Sequence, residues 1–235
     1  MKFSLPIPSN GSSIESFLNW EASAMQALAE QPKLDSIWTS WQAQKGLCIT
    51  GKESRFANYS SARQAFEQQG LEVAVRRSGG TTVPHGPGIL CITDISASSK
   101  QKNIKESYQV FCQRIQKHLN TLNFSTDVGP CDGAYCDGDY NVLLDNKKLV
   151  GTSQRWKRGA DNTFIVMSHA VMLVTCDPSE TSKSVNDFHE LADNQRPYDM
   201  QATTSLWQSP QNKLGLSKDD FFKQVQAAFK PTQIG

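Results

Sequence analysis

Apolar residues along the chain recur with two different periods. Ile14, Phe17, Leu18, Met25 and Leu28 fall at helical spacing, Ser12 to Glu15 has the spacing of a capping box, and Pro32 ends the run. A second helix is predicted over Ser60 to Gln69, with Ala62, Ala65 and Phe66 inward and Gly70 as its stop. The longest amphipathic stretch places Ile104, Tyr108, Phe111, Ile115, Leu119 and Leu122 on one face. Leu216 to Phe229 reads as a last helix capped by Ser217.

Between these helices the period shortens to that of strands. Leu47 to Gly51 is a short apolar run ending in a turn, Leu71 to Arg76 alternates apolar and polar, and Ile89 to Ile95 follows a Gly- and Pro-rich loop, Gly79 to Gly88. Tyr140 to Leu144 and Lys148 to Trp156 flank Asp145-Asn146, a hairpin turn, and Thr163 to Val174 forms a longer strand. From Ser182 to Gln211 periodicity fades. Helices and hairpins without strict βαβ alternation predict an α+β layered architecture around one sheet. No repeat or break in composition marks a second domain, so 1–235 reads as one domain, with a core over about 12–178 and an extension over about 179–235 ending in the last helix.

Composition narrows the classes of function. With 235 residues the chain can bury a full core without staples. Twenty-four basic against 23 acidic side chains leave a formal charge of +1, which argues against nucleic acid as the main partner. The most apolar stretch, Phe164 to Val174, is short and carries Ser168 and His169, so no membrane span is expected. No export signal is legible at the N-terminus, which predicts a cytoplasmic setting and reduced thiols for the six cysteines.

Three segments carry candidate chemistry. Arg76 to His85 (Arg-Arg-Ser-Gly-Gly-Thr-Thr-Val-Pro-His) follows a strand. Its Gly79-Gly80 pair allows close approach of backbone N–H groups to a ligand, and Arg76 adds positive charge; a plain turn with solvated arginines is the simpler alternative. Cys131 to Tyr140 places two cysteines in a Gly- and Asp-rich loop. Their spacing suits half a zinc site, but no second Cys/His pair completes it, so no metal is expected. A thiol here is reachable by substrate, yet the neighbouring carboxylates raise its pKa, so activation requires a nearby cation. Lys147 to Trp156 carries Gly151-Thr152-Ser153 inside a strand, a sign of close ligand approach, with Lys148 and Val150 on one face.

In this order, the three segments resemble the lipoate and octanoate ligase and transferase family, within the biotin/lipoyl protein ligase fold. Arg-x-Ser-Gly-Gly-x-x-Val spans Arg76, Ser78, Gly79, Gly80, Thr81 and Val83 and continues through His85. Lys-Lys-Leu-x-Gly-Thr-Ser-Gln-Arg spans Lys147 to Arg155. Ser168-His169-Ala170 to Leu173 is similar to the family's His-Gly-apolar strand, with Ala170 in place of the Gly and Pro84 before the earlier histidine. The likeness runs from about Leu18 to Val174.

The resemblance implies an α+β catalytic domain, with a mixed sheet flanked by helices, acting in protein lipoylation. Ala-Tyr-Cys-x-Gly-x-Tyr at Ala134 to Tyr140 is similar to the cysteine loop of the octanoyl/lipoyl amidotransferase branch. That makes Cys136 the implied nucleophile and Lys148 the implied contact to the acyl carbonyl. Arg76, Ser78, Gly79, Gly80, Thr81, Val83, His85, Gly151, Thr152, Ser153, His169 and Ala170 are the implied substrate-binding set.

The acceptor would be a lysine of a lipoyl carrier domain, of the glycine cleavage H protein or 2-oxoacid dehydrogenase type. An acyl carrier protein is a further candidate partner and a medium-chain acyl group the cargo. The thioester route needs no cofactor. The alternative, a lipoate-protein ligase, needs ATP and Mg, with Arg76 and Gly79-Gly80 on the adenylate phosphate; a non-catalytic acyl- or carrier-binding module is the third reading. Val83, Leu149 and Val171 are candidates to line an apolar slot. Either His85 or His169 is the candidate general base.

Overall fold

The structure is a computed structural model that describes residues 5–33, 36–98, 103–194 and 197–230. In chain order the elements are α1 (Ile14–Glu30), β1 (Ile37–Trp41), β2 (Gly46–Thr50), α2 (Tyr59–Glu67), β3 (Glu72–Arg76), β4 (Val83–His85), β5 (Ile89–Ser98) and α3 (Ile104–Thr121). There follow β6 (Asp127–Gly129), β7 (Asn141–Leu144), β8 (Lys147–Arg158), β9 (Phe164–Leu173), α4 (Pro178–Leu191) and α5 (Lys218–Ala228).

Six strands form an antiparallel sheet in the order β1-β5-β9-β8-β7-β6. A smaller sheet, β3-β2-β4, pairs β2 with β3 in parallel and with β4 antiparallel. The expected α+β class is the observed one. One core cluster joins α3 and α5 to the large sheet through Phe111, Ile115, Leu119, Phe221 and Val225. A second packs α1, α2 and α4 around the small sheet through Phe17, Phe66, Val73 and Phe188. The functional segments lie between the two sheets.

Several expectations change on contact with tertiary structure. The N-cap of α1 is Ser13, whose hydroxyl accepts from the Ser16 amide at 3.1 Å, rather than Ser12. The shift has a physical cause: the Glu72 carboxylate on β3 accepts from the Ile14 and Glu15 amides at 2.6 and 2.9 Å, placing negative charge on the helix's first free N–H groups. The expected alternation along β3 breaks, since Val75 is exposed and Arg76 is buried.

Four elements went unread; β4 and β6 have three residues each, β4 lying inside the stretch expected to be a Gly- and Pro-rich loop. β1 is short, with Thr39 and Ser40 interrupting its apolar run. α4 lies where periodicity had faded, but Asp177 caps it, Pro178 opens it, and Ser182, Val185 and Phe188 are its buried stripe. Asp145 and Asn146 both take positive φ (53° and 62°), the geometry of a two-residue hairpin turn, as expected.

The ring of Phe188 is fully buried and meets Phe66 edge-on with centroids 5.5 Å apart, anchoring α4 against α2. Phe188→Ala is expected to destabilise the protein by about 3–5 kcal/mol in chemical denaturation.

Candidate active site

Cys136 sits in the loop before β7 with φ of +49°, a left-handed conformation uncommon for a residue bearing a Cβ. The loop is pinned by the Asp137 carboxylate, whose Oδ1 accepts from the amides of Cys131 and Gly138 at 2.8 Å and from Asn141 Nδ2 at 2.7 Å. These donors occupy the carboxylate beside the thiol, while two cations approach the thiol from elsewhere in the fold.

The first cation is Lys148. Between Val142 and Leu143 the β7–β8 register slips, and the Lys148 backbone pairs outward instead with 202–204: its N–H donates to Ala202 O at 2.9 Å and its carbonyl accepts from Thr204 N at 3.0 Å. The slip lets Lys148, Leu149 and Val150 all be buried in succession. Lys148 Nζ then reaches back under the cysteine loop and donates to the carbonyls of Tyr135 and Cys136 at 2.6 and 2.5 Å. Burial lowers its pKa, against the raising effect of Cys136.

The second cation is Arg76. Instead of being solvated at a turn, it is buried and organises the loop that follows it. Its guanidinium donates to Cys48 O at 3.0 Å, Gly79 O at 2.9 Å and Thr81 O at 2.7 Å, and one nitrogen stands 3.7 Å from Cys136 Sγ.

Thr81 closes the clasp. Its amide donates to Cys136 Sγ at 3.2 Å and its hydroxyl accepts from the Cys136 amide at 3.0 Å. Gly80 makes the approach possible, because its φ is +96° and a Cβ there would lie 2.5 Å from Sγ. Burial raises the Cys136 pKa, but Lys148, Arg76 and the Thr81 amide lower it by more, so the thiol lies below its ordinary value.

The other five thiols are all raised, mainly by burial: Cys48 to about 11, Cys112 and Cys176 to about 12, and Cys91 and Cys131 in the same direction. Cys131, the alternative nucleophile, is buried with Sγ donating to Ala202 O at 3.2 Å. Cys136 is therefore the one cysteine whose thiol lies below its ordinary value.

Beside Cys136 opens a narrow pocket of about 30 Å³. Leu18, Trp41, Val83, Ala170 and Val171 form its apolar wall, and Arg76, His85, Gly151, Thr152, Ser153 and His169 also border it. Leu149 does not join them, since it faces the α3 side of the sheet. Gly79, Gly80 and Thr81 belong to the clasp, with Ser153 Oγ donating to Gly79 O at 3.1 Å. Ser78 bonds His169 Nε2 at 2.7 Å.

His85 stacks on Trp41, shares a contact of 3.2 Å between Nδ1 and Cys91 Sγ, and is pushed down to about 3 by burial and by Arg76. A group that weakly basic is a poor proton acceptor at neutral pH.

Sequence reasoning missed a second layer. Glu53, on a short helical turn after β2, accepts from the amide and hydroxyl of Thr50 and of Thr82, all at 2.8–3.0 Å, and pairs with His189 Nε2 of α4 at 2.9 Å. Burial would raise this carboxylate, but His189 and the Thr50 and Thr82 donors hold it down to about 2. The pair fixes Thr82, the next residue after the clasp. Tyr198 adds its hydroxyl to Thr81 Oγ1 at 3.3 Å. Their sequence neighbours carry no motif, and only the capping signal of Asp177-Pro178 hints that α4 exists.

The lipoyl protein ligase A/B catalytic-domain model matches residues 15–230. The chain belongs to that family.

Among curated relatives of this lipoyl protein ligase A/B domain, an octanoyl-GcvH:protein N-octanoyltransferase of Kyrpidia tusciae is 34% identical over 145 residues, covering 60% of this chain and 50% of the relative. An uncharacterised protein of Cupriavidus necator is 32% identical over 179 residues, covering 71% of each. A further octanoyl-GcvH:protein N-octanoyltransferase, from Oceanobacillus iheyensis, is 30% identical over 115 residues, 41% of its length. The chain thus spans about half the length, or less, of the octanoyltransferases it matches.

The fold superposes on lipoate-protein ligase A bound with ATP at TM-score 0.73 and 15% identity, covering 97% of this chain and 84% of the other. It also matches a bi-partite lipoate protein ligase from Thermoplasma acidophilum at TM-score 0.61 and 16% identity, covering 94% and 83%. At such identities these likenesses speak to fold. Among the described residues no helix is long and apolar enough to cross a membrane, and no group of three or more His, Cys, Asp or Glu is placed to hold a metal ion.

Alkylation of Cys136 is expected to show a midpoint below that of free cysteine. Lys148→Met shifts the midpoint to higher pH, because the charged form of the thiol loses its main counter-ion. Gly80→Ala, read in the same titration, is expected to move the midpoint in the same direction by forcing Sγ off the clasp.

Proposed function

We propose that the chain transfers an octanoyl or lipoyl group between lysines of lipoyl carrier domains through a thioester on Cys136. The observation that carries this reading is the single thiol with a lowered pKa, held by Lys148, Arg76 and the Thr81 amide at an apolar pocket. The names of the Kyrpidia and Oceanobacillus relatives support it, describing N-octanoyl transfer to protein from octanoylated GcvH. A glycine cleavage H-type domain is accordingly the first carrier to test. A 2-oxoacid dehydrogenase lipoyl domain is the second, and an acylated acyl carrier protein is a further donor.

The acyl chain enters the pocket, where each buried methylene contributes about 0.8 kcal/mol, several kcal/mol for an octanoyl tail. The Cys136 thiolate attacks the acyl carbonyl carbon. In the first half-reaction the C–N bond to the donor lysine breaks and that amine leaves. In the second, the acceptor lysine's nitrogen attacks the thioester and the C–S bond breaks, returning the thiolate to its cations. A thiolate already stabilised before attack is also the better leaving group.

The ligase reading assigns Arg76 to the phosphate of an adenylate and keeps Lys148 as its key residue. Both commit most of their N–H groups to backbone carbonyls around Cys136. That commitment weighs against a phosphate grip, and ATP and Mg enter no step of the thioester route.

Incubation with octanoylated carrier domain and no ATP is expected to add one octanoyl group to the protein by intact mass, cleaved by hydroxylamine and absent in Cys136→Ala. Transfer at the parent rate by Cys136→Ala, or transfer wholly dependent on ATP, overturns the thioester route. Retention of octanoate without turnover favours a binding module.

A further inference from the structure

The stretch 198–204 carries none of the sequence motifs, yet it touches all three segments that build the site. The Asp199 amide donates to Gly133 O of the cysteine loop at 2.9 Å. Ala202 O accepts from Cys131 Sγ of the same loop at 3.2 Å and from the Lys148 amide at 2.9 Å. The Thr204 amide donates to Lys148 O at 3.0 Å. Tyr198 reaches the third segment, its hydroxyl donating to Thr81 Oγ1 at 3.3 Å.

One side of α4 holds this strap. Ser182, Asn186 and His189 follow one another at helical spacing, so their side chains leave the helix in the same direction. Ser182 Oγ meets Thr203 Oγ1 at 3.1 Å. Asn186 grips the Tyr198 backbone twice: Nδ2 donates to its carbonyl at 2.9 Å and Oδ1 accepts from its amide at 2.8 Å. His189 pairs with Glu53, which in turn holds Thr82. The Tyr198 ring stands edge-on to Tyr135 with centroids 6.5 Å apart, and lies 5.5 Å from the His189 ring. Fixed groups therefore aim the Tyr198 hydroxyl.

The consequence falls on one proton. A threonine hydroxyl has one hydrogen to give and two lone pairs. At Thr81 Oγ1 the lone pairs accept from the Cys136 amide at 3.0 Å and from the Tyr198 hydroxyl. Its own hydrogen is left for the sulfur, to which the Thr81 side chain also bonds. Hydroxyls in series strengthen one another, so Tyr198 supports the Thr81 O–H as a donor to Sγ, beside the Thr81 amide at 3.2 Å.

Resting on the thioester reading, we propose that Tyr198 is a positioning residue of the nucleophile: its hydroxyl turns the Thr81 O–H onto Cys136 Sγ, and Asn186 of α4 holds it there. Both hydroxyls keep their protons throughout. They stabilise the thiolate before attack and again when the C–S bond of the thioester breaks.

The charged and titratable groups around the sulfur are Lys148 from β8, Arg76 from β3, Tyr108 from α3, and Tyr135 and Asp137 in the cysteine loop. Cys48 from β2, His85 from β4, Cys91 from β5 and His169 from β9 border the same pocket, and His189 from α4 lies against Tyr198. All of them are retained in Tyr198→Phe, which removes one hydroxyl and keeps the ring.

Alkylation of the full chain by iodoacetamide, read on the Cys136 peptide by mass, tests the proposal. The Tyr198→Phe midpoint is expected about 0.5–1 pH unit above the parent's, which is about 3- to 10-fold less thiolate below it. Thr81→Val is expected to move the midpoint at least as far, and Thr81→Ser to stay near the parent. In the Thr81→Val background Tyr198→Phe should add nothing, since it acts through that hydroxyl. Asn186→Ala, which keeps both hydroxyls but frees the strap, should move the midpoint the same way by less. Loading of Cys136 by p-nitrophenyl octanoate should slow in Tyr198→Phe below the midpoint and recover above it.

A parent midpoint in Tyr198→Phe and Asn186→Ala, each checked for folding by urea denaturation, overturns the proposal and leaves the thioester reading standing. If Tyr198→Phe does not fold, a parent midpoint in folded Asn186→Ala overturns it alone. A Tyr198→Phe shift that persists undiminished in Thr81→Val overturns the route through Thr81. A parent that titrates low but takes no octanoyl on Cys136 overturns the thioester reading, and the positioning role in transfer with it.

Discussion

Two buried cations facing one sulfur set the terms for the rest of the site. Burial alone would protonate Cys136, as it does the other five thiols. Removing Lys148 and Arg76 from water is costly unless an anion and well-placed acceptors compensate. The fold answers both: carbonyls of Tyr135, Cys136, Gly79 and Thr81 accept from the two cations, and the same two charges lower the Cys136 pKa. The register slip at β7–β8, the positive φ of Gly80 and the Asp137 staple are the backbone conditions for that meeting.

Around this pair the protein separates charge by function. Glu53 and His189 form a fully buried pair behind the Gly-Gly-Thr-Thr loop, where they hold Thr82 and never meet the pocket wall. Glu21 and His169 form the other carboxylate–imidazole pair, and its imidazole edge does reach the pocket. One pair stiffens the clasp and the other borders the pocket beside Cys136. The difference lies in which elements carry them: a turn after β2 and α4 for the first, α1 and β9 for the second.

The motif residues were legible because each depends on a local backbone property. Gly79-Gly80 signals a turn that only glycine makes cheaply, Gly151 a place where Lys148 folds over the strand, and Cys136 a thiol in an exposed-looking loop. Arg76 was legible as a cation but not as a buried one, since nothing near it in the chain shows that three carbonyls wait for it. Leu149 was misplaced because strand alternation assumes an unbroken register, and the slip puts it in the other core. Glu21 and Glu53 looked like ordinary helix and turn carboxylates. Their partners stand 148 and 136 residues away, beyond the reach of any local pattern.

By itself the sequence determined the α+β class, most elements, the hairpin and the three segments on which the chemistry sits. Those follow from periodicity, capping and the conformational freedom of glycine, which act over a few residues. Tertiary structure decided which thiol is acidic, which histidine stays neutral and which carboxylates stand behind them. Those properties come from desolvation and from charges brought together across the two sheets, and a pKa set in that way belongs to the packed interior rather than to any stretch of chain.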